Sequence, residues 1–141
     1  MATLGSVIEE LLAETRASRV TLRRHRDHGP AFPVVEEALA PGVGSLRDER
    51  SVDLARQPVV HELLQGRQVV QDDAAGAYDD PAFQRMLAAY GGLAAQIVTP
   101  VEVAGRLEAI VSVHQLGAAR SWTRGEIDAA ARAAERVREL L

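Results

Sequence analysis

The stretch Gln96 to Trp122, QIVTPVEVAGRLEAIVSVHQLGAARSW, limits the possible folds more than any other. Ile97, Val98, Thr99, Val101 and Val103 form one run rich in β-branched residues. Leu107, Ala109, Ile110, Val111 and Val113 form a second. β-branched side chains favour a pleated surface. Ala104-Gly105 between the runs supplies a tight turn, where glycine can take a positive φ. The pattern predicts a hairpin. In its second strand, Leu107, Ala109, Val111 and Val113 would share one face, and Glu108, Ile110, Ser112 and His114 the other. The middle of this strand is apolar on both faces, which predicts a central strand with material packed above and below. The second face turns polar at Ser112 and His114, and that change marks a candidate site.

The chain has 141 residues, so a single domain over 1–141 with a sizeable core is expected. A net charge of −4 argues against general binding to nucleic acid or to an anionic membrane. No apolar run approaches the ~18 residues needed to span a bilayer. The start, MATLGSVIEELLAE, is acidic and lacks the basic segment of a signal peptide, so a cytoplasmic location is expected. Cysteine is absent. That removes disulfides, thiolate nucleophiles, cysteine zinc sites and thiol switches.

Ser6-x-x-Glu9 reads as a capping box, and Val7, Ile8, Leu11, Leu12 and Thr15 follow at helical spacing, predicting a helix over about 6–17. Its apolar stripe either covers a sheet or pairs across a dimer. Arg19–His25 reads as a strand in which Val20, Leu22 and Arg24 alternate with Thr21, Arg23 and His25. A turn over residues 26–30 leads to a second strand near Phe32–Leu39. Residues 40–56 read as a loop. Pro58–Leu64 reads as a short helix ended by Gln65-Gly66, before a short strand at Gln68–Gln71. Asp72, Asp73, Asp79 and Asp80 form an acidic cluster, but the spacing of an EF-hand is missing. Asp80 is read as the N-cap of a helix over Pro81–Tyr90. Phe83, Met86, Leu87 and Tyr90 lie on one side of it, as core or as pocket wall. Thr123-x-x-Glu126 caps a final helix with an alanine-rich stripe.

Several of these segments resemble a known family. The order strand, Pro100, strand, Gly105-Arg106-Leu107, strand and Trp122-Thr123-x-x-Glu126 is similar to the C-terminal half of a GAF domain. Val113–Ile127, VHQLGAARSWTRGEI, resembles the phytochrome and cyanobacteriochrome group in particular, with Ala119 where those carry a proline. RVTLRRHRDHGPAFPVVEEAL resembles their opening, with Arg23 at a position where they have a chromophore-facing tyrosine and His25 where they have phenylalanine. PVVHELLQGRQVVQDD is similar to the family's helix, glycine turn, short strand and aspartate.

The resemblance implies an α+β fold with a central antiparallel sheet of about five or six strands. Terminal helices would lie on one face, and a pocket with short helices on the other. It implies a regulatory sensor of bacterial signalling. No cofactor is expected. Bilin-binding relatives attach their chromophore through a cysteine thioether, and this chain, with Ala82-Phe83 at the corresponding place, has no thiol. Haem is disfavoured because AAYGGLAA lacks a histidine, which leaves His114 as the candidate axial ligand. Methionine-sulfoxide reductases of this fold also need cysteine, and the cyclic-nucleotide motif of phosphodiesterase relatives is missing.

Catalysis is not expected. There is no G-x-S-x-G elbow, H-E-x-x-H, Walker or Rossmann pattern. His25, His28, His61 and His114 are scattered without metal-ligand spacing, and no metal is expected. The ligand-site candidates are Thr21, Arg23, Ser112 and His114 as polar groups, with Phe83, Met86 and Tyr90 as apolar walls. They suggest a small polar or anionic ligand. The alternative is that Arg23 and His114 bond to nearby loop carboxylates in a site without a ligand. A homodimer through the terminal helices, or a ligand-free dimerisation and protein-interaction module, forms the second class.

Overall fold

The computed structural model describes residues 1–28 and 31–141. Gly29 and Pro30, part of the expected turn, lie outside the described residues. The chain runs α1 (Leu4–Thr15), β1 (Arg19–Arg24), β2 (Val34–Leu39), α2 (Pro58–Leu64), β3 (Val69–Gln71), α3 (Pro81–Ala89), β4 (Leu93–Val103), β5 (Arg106–Leu116) and α4 (Arg124–Leu140). Short 3₁₀ turns occupy Leu54–Arg56 and Ala74–Gly76. The strands make one antiparallel sheet in the order β2-β1-β5-β4-β3. β5 is therefore central, as its two-sided apolar pattern predicts.

Each face of the sheet carries its own layer. On one, Val20, Leu22, Ile97, Ala109, Val111 and Val113 pack with Val7, Ile8 and Leu11 of α1 and with Ala129, Ala130, Ala133, Ala134 and Val137 of α4. The apolar stripes of both terminal helices are thus buried against this chain's own sheet. Small alanine side chains let α4 approach closely. Trp122 closes the end of this layer, donating from Nε1 to the Gln71 carbonyl at 3.1 Å. On the other face, Val98 and Ile110 pack with Val59 and Leu63 of α2 and with Phe83, Met86 and Leu87 of α3.

Several boundaries differ from the sequence expectation. α1 begins at Leu4 because Thr3, not Ser6, is the N-cap: its hydroxyl accepts from the Ser6 amide, and Ser6 Oγ accepts from the Thr3 amide. The helix stops at Thr15, where Arg16 turns left-handed at φ 51°. β2 begins at Val34 because Pro33 has no amide to place in the ladder. β4 begins at Leu93, four residues before the β-branched run, since Leu93 pairs with Leu116 and Gln96 with His114. Leu107 packs on the α2/α3 side rather than with Ala109. A register shift next to Glu102 pairs it with Leu107 while Val101 pairs with Ala109, leaving Glu108 as the extra residue of a bulge.

Ala104 and Gly105 sit at φ 52° and 77°, so both turn residues are left-handed. That is the type I′ geometry of a two-residue hairpin. Gly105 takes it without strain; Ala104 does so at a cost of roughly 1 kcal/mol or more. Ala104→Asn is expected to raise stability by up to about 1 kcal/mol in urea unfolding, because asparagine tolerates this region better. A variant no more stable than the parent would show that the turn does not strain the chain.

Candidate functional site

Period-two alternation places Arg19, Thr21 and Arg23 on the α2/α3 face of β1. Arg19 pairs across the sheet with His114 of β5, Thr21 with Ser112, and Arg23 with Ile110. His114 in turn pairs with Gln96 of β4, which pairs with Gln71 of β3. A polar rung therefore crosses four strands: Arg19, His114, Gln96 and Gln71. It is largely hydrogen-bonded within itself. Arg19 Nε donates to His114 Nδ1 at 3.1 Å, and Gln96 Nε2 donates to Gln71 Oε1 at 2.8 Å.

Arg19 is 1% exposed, yet its guanidinium meets no carboxylate directly. Its remaining bonds go to the carbonyls of Gly44 and Tyr90, at 3.0 and 2.8 Å. Burial pulls its pKa down to about 10, with Glu37 acting in the opposite direction. Arg23, 8% exposed, donates to the Phe32 carbonyl at 2.8 Å and to the Tyr90 hydroxyl at 3.2 Å. Among the described residues it too forms no ion pair. Both cations are contacted only by neutral dipoles, with Glu37 and Glu49 acting on Arg19 and Arg23 through space, and a buried cation without a directly bonded counter-charge is costly.

His114 is 3% exposed and stacks on Tyr90 with ring centroids 5.9 Å apart. Because its Nδ1 accepts from Arg19, the ring is neutral and carries its proton on Nε2. Burial, then Arg19 and Arg23, hold its pKa well below the usual histidine value. Tyr90 links the whole group: its carbonyl receives Arg19, its hydroxyl receives Arg23 and its ring covers His114.

Between this polar face and the helices lies a cavity of about 30 Å³, room for roughly two waters. Arg23, Met86, Tyr90, Ser112 and His114 line it, with Leu54, Gln57, Gln96 and the apolar side chains of α2. Two sequence candidates stand elsewhere. Phe83 is fully buried in the core against Tyr78, 4.9 Å between centroids. Thr21 lies between Arg19 and Arg23 at 0% exposure, with its hydroxyl unpartnered, beneath the cavity rather than on its wall. The loop carboxylates considered as partners are not used: Arg23 and His114 bond to a carbonyl, a hydroxyl and Arg19. His25, at the position where the bilin-binding relatives carry phenylalanine, follows the end of β1 and meets Asp27 at 3.1 Å, away from the cavity wall.

Sequence reasoning missed Arg19, Gln57 and Gln96. Arg19 and Gln96 were within reach, being in phase with Arg23 and Val98. Gln57 precedes a proline-started helix and gives no sequence signal. Two of the four acidic residues are occupied structurally. Asp72 accepts from the Trp122 amide, and Asp80 caps α3 through the amides of Ala82 and Phe83. Among the described residues no cluster of three or more His, Asp or Glu is placed to hold a metal ion, and no helix is long and apolar enough to cross a membrane.

The GAF domain family model matches residues 2–140. The chain belongs to the GAF domain family. Its fold is similar to the blue-light-absorbing form of the PixJ GAF domain of Thermosynechococcus elongatus, with a TM-score of 0.73 and 24% identity over 97% of this chain and 86% of that one. It is also similar to a phycocyanobilin-bound GAF domain from a cyanobacterial phytochrome, with a TM-score of 0.75 and 16% identity, covering 99% of this chain and 86% of that one. A far-red cyanobacteriochrome photoreceptor matches at a TM-score of 0.73 and 18% identity, covering 97% and 85%. No curated protein sequence matches.

These relatives correct the expectation of no cofactor. Solved domains of the same fold are photoreceptors, and one is bound to phycocyanobilin, so a bilin is a cofactor this fold is seen to hold. The residues of this GAF domain do not fit covalent attachment, because it has no thiol.

The neutral, buried His114 has a consequence for pH. The unfolded chain takes up a proton near pH 6.5, whereas the folded chain does so only well below that. Stability contributed by neutral His114 is therefore present above about pH 6.5 and falls as pH drops below it, by up to about 1.4 kcal/mol per unit until the folded pKa is reached. His114→Gln keeps an acceptor for Arg19 and should flatten this part of the curve. Urea unfolding of both proteins between pH 7 and 5 checks it; parallel curves would mean His114 is not held neutral.

Proposed function

We propose that this GAF domain, taken as one sensory unit over residues 1–141, is a non-catalytic regulatory sensor of bacterial signalling that binds a small anion. One observation carries this: Arg23, a buried cation without a carboxylate, lies on the wall of a cavity. A ligand carboxylate there would replace the Tyr90 hydroxyl or add to it, with Ser112 and the Nε2–H of His114 as further donors. Tyr90 ends α3, and Gly91 and Gly92, at φ 85° and 81°, lead directly into β4. A ligand that moves Tyr90 would thus act on the position of α3, selecting between arrangements of the domain.

Native mass spectrometry of freshly purified protein, compared with its mass under denaturing conditions, tests the reading. A retained small anion is the expected result. A retained tetrapyrrole would overturn it. Arg23→Ala should then weaken that anion about 10- to 100-fold, the usual worth of one charged hydrogen-bonding partner. Unchanged binding would remove Arg23 from the site.

The same proposal places the protein in the cytoplasm, with two copies paired through α1 and α4. The stripes of both helices face the sheet, so the pairing surface would be their outer, charged sides. Glu10 and Glu14 of α1 already meet Arg136 and Arg132 of α4 there, at 2.5 and 3.8 Å. Light scattering at high protein concentration should report a dimer whose population falls with added salt. A monomer throughout would remove the pairing.

A further inference from the structure

Gln57 stands just before α2 in the N-cap position, yet its side chain makes no capping bond. It turns inward instead, is 4% exposed and lines the same cavity as Arg23. Its Nε2 lies 3.4 Å from the Ala82 carbonyl. That contact fixes the amide orientation, because the reverse would set two acceptors against each other. Gln57 Oε1 is left without a donor. Among the described residues lining the cavity, it is the one buried side-chain oxygen with no partner. Buried acceptors without a protein donor are rare, and each costs stability unless a donor reaches it.

The cavity thus carries two unmet demands of opposite kind. Arg23 has no carboxylate in direct contact, Glu49 acting on it only through space, and Gln57 lacks a hydrogen-bond donor. We infer that the ligand is a small hydroxycarboxylate, its carboxylate at Arg23 and its hydroxyl donating to Gln57 Oε1. This rests on the anion-sensor reading and specifies it. An ammonium group would also donate to Gln57, but it would enter a site already holding the buried guanidiniums of Arg19 and Arg23, so the charge balance selects a neutral donor. With room for roughly two waters, the cavity would take even a two-carbon hydroxy acid only by displacing the Tyr90 hydroxyl or opening toward the neighbouring cleft, so the ligand is small. Gln57 and Met86 also line a larger outer cleft with Ser51, Asp53, Arg56 and Arg85, so they stand at the boundary a ligand would cross.

Calorimetric titration of the full chain with acetate, glycolate and glycine, and with propionate and lactate, tests the inference. The expected result is glycolate over acetate, and lactate over propionate, by about tenfold or more, with glycine weaker than glycolate. Gln57→Met, similar in length but without the acceptor, should bring the hydroxy-acid preference close to one. Acetate binding as tightly as glycolate would overturn the inference while leaving the anion reading intact. A Gln57→Met protein that keeps the preference would do the same. Binding by none of the carboxylates would end the anion reading and this inference with it. If Gln57→Met fails to fold, the wild-type ratios decide alone.

Discussion

β5 is buried on both sides, and everything else in the molecule answers to that. A strand with solvent on one face needs one apolar row; β5 needs two layers of cover. Ala109, Val111 and Val113 take α1 and α4, while Ile110 takes α2 and α3. The difference between the faces begins at Ser112 and His114. Toward the end where β1 starts, the α2/α3 face stops being hydrophobic, and polar side chains of Arg19, His114, Gln96 and Gln71 replace the apolar row. Such a rung stays buried because its groups are hydrogen-bonded, Arg19 to His114 and Gln96 to Gln71, and these two bonds reinforce the register of β1 on β5 and of β3 on β4.

The architecture was largely legible because it rests on local rules. The 2-residue period of the hairpin, Pro58 and Pro81 at helix starts, Asp80 and Thr123 as caps, and the Ala104-Gly105 turn each need only a few neighbours. What was not legible depends on partners distant in sequence. Ala94, Ala95 and Gln96 do not read as a strand by composition, but β5 offers them a ladder, and tertiary pairing overrides propensity. The bulge at Glu108 moves Leu107 to the opposite face, and no alternating pattern announces a bulge.

The site divides in the same way. Arg23, Ser112 and His114 were accessible because alternation along two strands places them on one face. The specific partners were not. His114 faces Arg19 rather than Arg23, since strand register decides this and a shift of four residues along β1 still sets an arginine opposite His114. Phe83 and Met86 share a stripe three residues apart, but only Met86 reaches the cavity, while Phe83 turns into the core beside Tyr78. Helical periodicity gives the side of a helix and not the depth of each side chain.

A domain optimised only for stability would not keep Arg23 and Gln57 as they are. Replacing a buried cation lacking a counter-charge with an apolar side chain of similar volume is often neutral or favourable. Under the proposed anion-sensor reading that cost is preorganisation, with donor and acceptor already desolvated and oriented before a ligand arrives. The rest of the polar face supports this distinction. Arg19 is equally buried and equally without a carboxylate, yet all three of its nitrogens are matched by fixed acceptors, and it does not line the cavity. Arg19 orients His114 and Tyr90; Arg23, on the cavity wall, is the cation that the proposed anion would meet. Two arginines four residues apart on one strand thus differ in role through the acceptors around them, with Tyr90 as the residue both of them hold.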